Sequence, residues 1–260
     1  MRQLVRTVVI TGASAGLGEA LALLYAAEGR TLGLLGRNCD RLALVAARCR
    51  ERGAEARVGS LDVTGPEALG RWIGSFDAAH PIDLLIVNAG AFTGNGPAGA
   101  AETVDEIAWL LRTNLEGATN TIAASLPGMR ARRSGRIAIV GSLAALQPLA
   151  DAPAYSASKA GLMSYGEALR EWLLPDNVAV TLIYPGHIKT AQVAHHVGAL
   201  PLMVSAETAA RRIKRGLDAG RSFIAFPRRL LWLIRAGRLL PWPLRAWFGR
   251  TMRFHVAKYR

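Results

Sequence analysis

The chain is poor in cysteine and carries no long uninterrupted apolar run. Cys39 and Cys49 are its only two thiols. Ten positions apart in a helix-like segment, they suit neither a disulfide framework nor a metal site, and read as free thiols in a reducing compartment. The longest uncharged stretches, such as 84–101, are broken by Gly, Asn and Pro. A membrane span needs about 20 mostly apolar residues, so none is expected. The opening "MRQLVRTVVITG" passes almost directly into a strand-like run, without the apolar segment and cleavage site of a secretory leader. Internal repeats, low-complexity segments and flexible linkers are also missing. Acidic residues are unevenly absent: from Arg221 onward there are ten Lys or Arg and no Asp or Glu. The overall charge of +13 therefore leaves only +3 for the first 220 residues, which argues against a body built to grip nucleic acid.

What is present is a globular composition, 51% apolar and 20% charged over 260 residues, enough for one large α/β core. Short apolar runs alternate with longer amphipathic ones. "LVRTVVIT", "TLGLLG", "AEARVG", "IDLLIVNAG", "RIAIVGS", "VAVTLIYPG" and "RSFIAF" read as strands. Helical patterns fall at 16–29, 40–52, 66–79, 101–126, 153–174 and 206–219. Strands apolar on both faces and separated by helices predict a doubly wound, Rossmann-type parallel sheet of seven strands covered on both sides. A catalytic domain over 1–226 is expected, followed by a basic amphipathic helical extension over 227–260. Ligands belong at the carboxyl ends of such strands.

"VVITGASAGLGEALALLYA" puts Gly12, Gly16 and Gly18 between the first strand and first helix. Glycine allows a sharp turn and a close approach to pyrophosphate, which the helix N-terminus attracts. Packing of strand on helix is the plainer use of the same glycines. At the end of the second strand, "LGLLGRN" offers Arg37 where an acidic residue would hold a ribose hydroxyl. A guanidinium suits a 2′-phosphate, so NADP(H) is expected in preference to NAD(H).

Tyr155 and Lys159 stand at i and i+4 in "DAPAYSASKAGLMSYGEALREWL" and share a helical face. A neighbouring ammonium favours phenolate, so the pair forms an acid–base group for interconverting carbonyl and alcohol. Ser142 follows the strand "RIAIVGS", where its hydroxyl would meet the reacting oxygen. Asn114 interrupts a helical pattern in "LLRTNLEGATN", a position that suits a bend, a buried water or simple exposure.

Taken together, "TGASAGLG", Asp62-Val63, "NAG" at 88–90, Asn114, Ser142, "YSASK" and "PGHIKT" at 185–190 give the chain a strong resemblance to the short-chain dehydrogenase/reductase family over about residues 5–226. The resemblance implies a tetrad of Asn114, Ser142, Tyr155 and Lys159. Tyr155 would donate the proton, Lys159 would hold the nicotinamide ribose and lower the Tyr155 pKa, and Ser142 would orient substrate. Asn114 would hold a water in a relay from Lys159. It also implies cofactor contacts from Gly12, Ser14, Gly16, Leu17, Gly18 and Arg37, with Asp62 and Val63 at the adenine. Asn88, Ala89 and Gly90 would line the cleft, and Pro185, Gly186, Ile188 and Thr190 would meet the nicotinamide end. Val87 replaces the first Asn that often precedes "NAG" in the family. A catalytically silent dinucleotide sensor on the same fold is the competing class.

His187 reads as a solvated loop residue near the substrate mouth, while His195 and His196 lack a third ligand at metal spacing, so no metal is expected. The loop 187–205 carries Leu200, Leu202, Met203 and Val204, suited either to an apolar ketone or alcohol substrate or to packing on the body. Pro227 and "PWP" at 241–243 divide the tail into two predicted helices, Arg228–Leu240 and Leu244–Lys258. Arginines on one side and Leu230, Leu231, Trp232 and Ile234 on the other suit an anionic membrane surface or a neighbouring subunit of a homo-oligomer; nucleic acid ranks far behind. A cytoplasmic protein, peripheral on the membrane face, is the corresponding location.

Overall fold

The computed structural model describes residues 5–190, 196–197, 202–241, 243–244 and 255–256. The strands are β1 (Thr7–Thr11), β2 (Thr31–Gly36), β3 (Glu55–Ser60), β4 (Leu84–Val87), β5 (Gly135–Val140) and β6 (Val178–Pro185), with β10 (Phe223–Phe226) at the far edge. Between β6 and β10 lie three two-residue strands, β7 (Ile188–Lys189), β8 (His196–Val197) and β9 (Val204–Ser205), and β11 (His255–Val256) closes the series. The main sheet is parallel, with the order β10-β6-β5-β4-β1-β2-β3. The helices are α1 (Gly16–Tyr25), α2 (Cys39–Arg50), α3 (Pro66–Ala79), α4 (Val104–Leu111), α5 (Gly117–Ala131), α6 (Pro153–Trp172), α7 (Ala206–Asp218) and α8 (Arg228–Arg238).

The period-two geometry of a strand explains why its sequence is apolar throughout: both faces are covered. Val8 and Ile10 of β1 face a core shared with α1, α2 and α7, whereas Val9 faces one shared with α3, α5 and α6. Leu84 and Ile86 of β4 repeat the first pattern, Leu85 and Val87 the second. Local chemistry starts the helices where the sequence suggests. Asn38 accepts the Arg41 N–H at 2.8 Å before α2, and Thr103 and Glu106 form a capping box on α4. Pro66 and Pro153 occupy the first helical turn of α3 and α6, where a missing N–H costs nothing.

The segment 101–126, expected as one helix, is not uniform. It is divided into α4, a π turn over Arg112–Glu116, and α5, which runs on through Pro127 to Ala131. The tail differs too. α8 matches the first predicted helix closely, but His255–Val256 are extended and pair antiparallel with β8. The second predicted helix therefore cannot run to Lys258; its central residues, 245–254, lie outside the described part. Leu231 is buried, and Leu230 and Ile234 pack beside it against the core under β10. Much of the apolar stripe read as a membrane or subunit face is thus used by the body itself. No helix among the described residues is long and apolar enough to cross a membrane. Cys39 is exposed and Cys49 buried, and both are free.

The carboxyl ends of β1 and β4 are joined by one side chain. Thr11 is fully buried, and its Oγ1 accepts the N–H groups of Asn88 and Ala89, each at 3.0 Å. Thr11→Val keeps the shape and removes this acceptor. Leaving buried donors unpaired costs about 1–3 kcal/mol. Urea denaturation should show a loss of that size for Thr11→Val and a much smaller one for Thr11→Ser.

Candidate active site

The loop after β1 is shaped by close backbone contacts. Gly12 and Gly16 have φ of 66° and 60°, a region that favours glycine. A Cβ on Gly18 would stand 2.1 Å from the Gly12 carbonyl oxygen, and one on Gly12 would stand 2.9 Å from the Ala89 Cα. The Asn88 amide locks the arrangement by donating to the Thr11 and Gly12 carbonyls at 3.0 and 3.3 Å. Thr190 lies over Gly16, where an added Cβ would meet its methyl at 3.1 Å. Leu17 is buried beneath the loop. The glycines thus let the turn close tightly on the start of α1, whose N-terminal dipole suits a pyrophosphate.

Beside the turn, Arg37 and Asp62 face each other at 3.6 Å, with side chains 65% and 43% exposed. Such an ion pair is weak and readily rearranged. Ser14 lies against Gly36 at the same strand end. Burial alone would raise the Asp62 carboxyl; hydrogen bonds from the Thr64 N–H and hydroxyl, together with Arg37, outweigh it and hold the group below its usual range. Val63 turns inward and fills the space left by Gly117, with Asn120 donating to its carbonyl.

The four proposed catalytic residues converge where β4, β5 and α6 meet. Asn114 sits in the π turn and is fully buried. Its Oδ1 accepts the Ala91 N–H at 2.6 Å, while Nδ2 donates to the Ala91 carbonyl at 2.9 Å and to Ser158 Oγ at 3.0 Å. Both amide hydrogens are thereby committed, which leaves a lone pair on Oδ1 and the main chain as means of holding a water. Ser158 in turn donates to the Tyr155 carbonyl at 2.7 Å. Lys159 is buried and donates from Nζ to the Val140 carbonyl at 3.2 Å. An added Cβ on Gly90 would meet Asn114 Oδ1 at 3.1 Å and Lys159 Nζ at 3.3 Å, so Gly90 leaves room for both polar ends.

Ser142 caps a short turn at 143–145 and accepts the Ala144 N–H at 3.1 Å. Burial raises the Tyr155 phenol above its ordinary value, and a hydrogen bond from Ser142 opposes this. Lys159 Nζ lies 5.9 Å from the Tyr155 ring centre and donates to the Val140 carbonyl. Lys159 itself is brought down to about 8 by burial. Phe92 meets the Tyr155 ring edge-on, with centroids 4.9 Å apart.

Pro185, Gly186 and Ile188 continue from β6 into the rim, and Gly186 donates to the Phe226 carbonyl at 2.7 Å. His187 is half-buried, and its carbonyl accepts the Val204 N–H. Leu202 and Met203 are exposed, while Val204 packs on the core, so the two readings of this loop divide between residues. His195 and Leu200 lie outside the described residues. The tail returns to this rim, with Val256 buried and donating to the Asn95 carbonyl at 2.9 Å. Thr11, Phe92, Asn95, Ser158 and Val256 were not singled out in the sequence. Thr11 and Ser158 lie inside quoted motifs, but the others carry no local signal.

The buried lysine gives a stability signature. Its folded pKa, about 8, lies below the unfolded value of about 10.4. Between these values the unfolded chain holds the proton and the folded chain does not, so stability contributed at this position rises with pH across the window. Relative to Lys159→Met, the free wild-type protein should gain thermal stability from pH 7.5 to about 10. A constant difference in melting temperature between the two proteins would contradict the assignment.

The model of the short chain dehydrogenase family matches residues 6–198. An uncharacterized oxidoreductase of Myxococcus xanthus (strain DK1622) is 34% identical over 245 residues, which cover 92% of this chain and 94% of that one. A 3-dehydrosphinganine reductase of Arabidopsis thaliana is 32% identical over 233 residues, covering 83% and 69%. The structure of a short-chain dehydrogenase from Sphingobium yanoikuyae in complex with NADPH aligns with a TM-score of 0.79 at 26% identity, covering 95% and 96%. The chain belongs to the short-chain dehydrogenase/reductase family and is an oxidoreductase acting between CH–OH and C=O groups with a nicotinamide cofactor.

Proposed function

We propose that the protein interconverts a ketone and a secondary alcohol on an apolar, lipid-like substrate, using NADP(H) in preference to NAD(H). The observation that carries this is the convergence of Ser142, Tyr155 and Lys159 beside the glycine turn at the start of α1. When bound there, the nicotinamide supplies or accepts a hydride at the carbonyl carbon. Gly12, Ser14, Gly16, Leu17 and Gly18 would hold the pyrophosphate, and Arg37 a 2′-phosphate beside Asp62 and Val63. Asn88, Ala89, Gly90, Pro185, Gly186, Ile188 and Thr190 would line the path to the reacting end.

In reduction, Tyr155 passes its phenolic proton to the carbonyl oxygen as the C=O π bond opens. Ser142, with one O–H to donate, would orient the substrate oxygen. Burial makes the phenolate costly, which suits an acid that must remain protonated until the reaction begins. Lys159 holds positive charge near the developing anion, and Asn114 fixes the helix that carries both residues. In oxidation the same groups act in reverse. A silent sensor has no need of a proton donor, so the buried phenol of Tyr155 favours the enzyme over that alternative.

The exposed Leu202 and Met203 support an apolar substrate, and the relative named 3-dehydrosphinganine reductase supports a lipid-like one. The basic tail supports a cytoplasmic protein peripheral on an anionic membrane. The exposed Val104, Ile107, Trp109 and Leu111 around α4 support a homo-oligomer.

Tyr155→Phe should abolish NADPH oxidation with a panel of ketones graded by chain length while leaving NADPH binding nearly intact; near-normal turnover would overturn the mechanism. Arg37→Ala should raise KM for NADPH at least tenfold and hardly alter that for NADH, since a charge-assisted hydrogen bond is worth about 1.5–3 kcal/mol. Steady-state kinetics with both cofactors provide the check.

A further inference from the structure

Away from the active site, α7, β10 and α8 enclose an open cleft of about 850 Å³. Arg212 and Arg215 of α7, Arg221 before β10, and Arg228, Arg229 and Arg235 of α8 surround it, and among the described residues no acidic side chain lines it. Six like charges around one concavity repel each other and concentrate a positive field. The arginines are also partly pre-positioned. Arg212 lies over the Phe226 ring at 5.7 Å, and Arg235 lies 5.7 Å from the Phe223 ring and 5.6 Å from that of Trp232. Cation–π contacts at this distance bias where a guanidinium sits, and its N–H groups remain suited to phosphate.

The start of α8 adds to the imbalance. Pro227 precedes it, no side chain caps it, and its first turn contains Arg228 and Arg229 with no acidic residue. Cations at a helix N-terminus oppose the dipole, the reverse of the arrangement that stabilises an isolated helix. An anion in the cleft would relieve both conflicts.

The geometry points to an anionic phospholipid surface as the partner of this cleft, with a lipid phosphate among the arginines and the outer face of α8 in the interfacial layer. At about 100° per residue, Trp232 and Leu233 lie opposite the buried Leu230, Leu231 and Ile234, with Arg229 between them and Leu239 at the C-cap on the same side. Trp232, Leu233 and Leu239 are 60%, 67% and 88% exposed. α8 therefore has two apolar faces, one spent on the core and one turned outward beside the arginines. A free anion would use the guanidiniums and ignore the outward leucines. A second copy docking through this face by a two-fold axis would set arginine against arginine. A lipid surface uses both features, because amphipathic helices combine apolar insertion with attraction to anionic headgroups.

This inference deepens the membrane reading above and is independent of the catalytic one. The test is co-sedimentation of the full chain with phosphatidylcholine vesicles, with and without phosphatidylglycerol, at physiological salt. Three proteins are compared: wild type, Arg212→Gln/Arg215→Gln/Arg229→Gln, and Leu233→Ser/Leu239→Ser. None of these residues belongs to the catalytic machinery, so NADPH oxidation with a soluble ketone reports that each variant is folded. Wild type should bind only the anionic vesicles. The triple arginine variant should bind about a hundredfold more weakly, each basic residue contributing about a factor of five. The double leucine variant should also lose affinity.

Undiminished vesicle binding by the arginine variant would overturn the cleft while leaving membrane association standing; no binding by wild type would overturn both. Normal vesicle binding by the leucine variant, with full competition by inorganic phosphate, would instead assign a free-anion site. Duplex DNA bound by wild type more tightly than the anionic vesicles would assign a nucleic-acid site.

Discussion

A fully buried primary amide must satisfy its donors and acceptor inside the protein, and Asn114 does so by bridging two separate elements. One side of the amide closes on both main-chain groups of Ala91, just after β4; the other reaches Ser158 in α6. Ser158 then donates to the carbonyl of Tyr155. The loop that borders the cofactor cleft and the helix that carries the tyrosine and lysine are thereby held by one side chain. The π turn over Arg112–Glu116 is the local form the helix takes where this residue turns inward, and such turns recur at functional sites.

The same economy governs the rest of the site. Thr11 ties β4 to β1, Asn88 returns from the next loop to the glycine turn, and Gly90 leaves space for the polar ends of Asn114 and Lys159. Burial then sets the chemistry. It raises the phenol of Tyr155 and brings the ammonium of Lys159 down to about 8. Desolvation is the largest influence on each of the two groups. Spacing at i and i+4 says which face two side chains share but not how much water they retain.

The tail changes in meaning once it is folded. Its arginines, leucines and tryptophans are visible in the sequence, but a helical wheel cannot tell which apolar side is already occupied. Leu230, Leu231 and Ile234 cover the core beneath β10, leaving Trp232, Leu233 and Leu239 outward. Arg212 and Arg215, some twenty residues earlier, join Arg228, Arg229 and Arg235 around one cleft. Val256 returns to Asn95 at the rim of the active site, so the chain beyond Pro227 is in contact with the body at two places.

The alternation of strands and helices, the parallel sheet, the glycine turn and the Tyr155–Lys159 pair are legible in local periodicity or fixed spacing, while the full tetrad follows from the family resemblance. Helix limits such as Pro66–Ala79 were legible because proline marks them; the division of 101–126 was not, because no residue type signals a π turn. The tertiary structure alone shows that Asn114 spends both amide hydrogens on Ala91 and Ser158, that Phe92 lies edge-on to Tyr155, and that arginines of α7, α8 and the turn before β10 line one cleft. These are contacts between residues distant in the chain, and they depend on burial and crossing geometry, which local pattern does not encode.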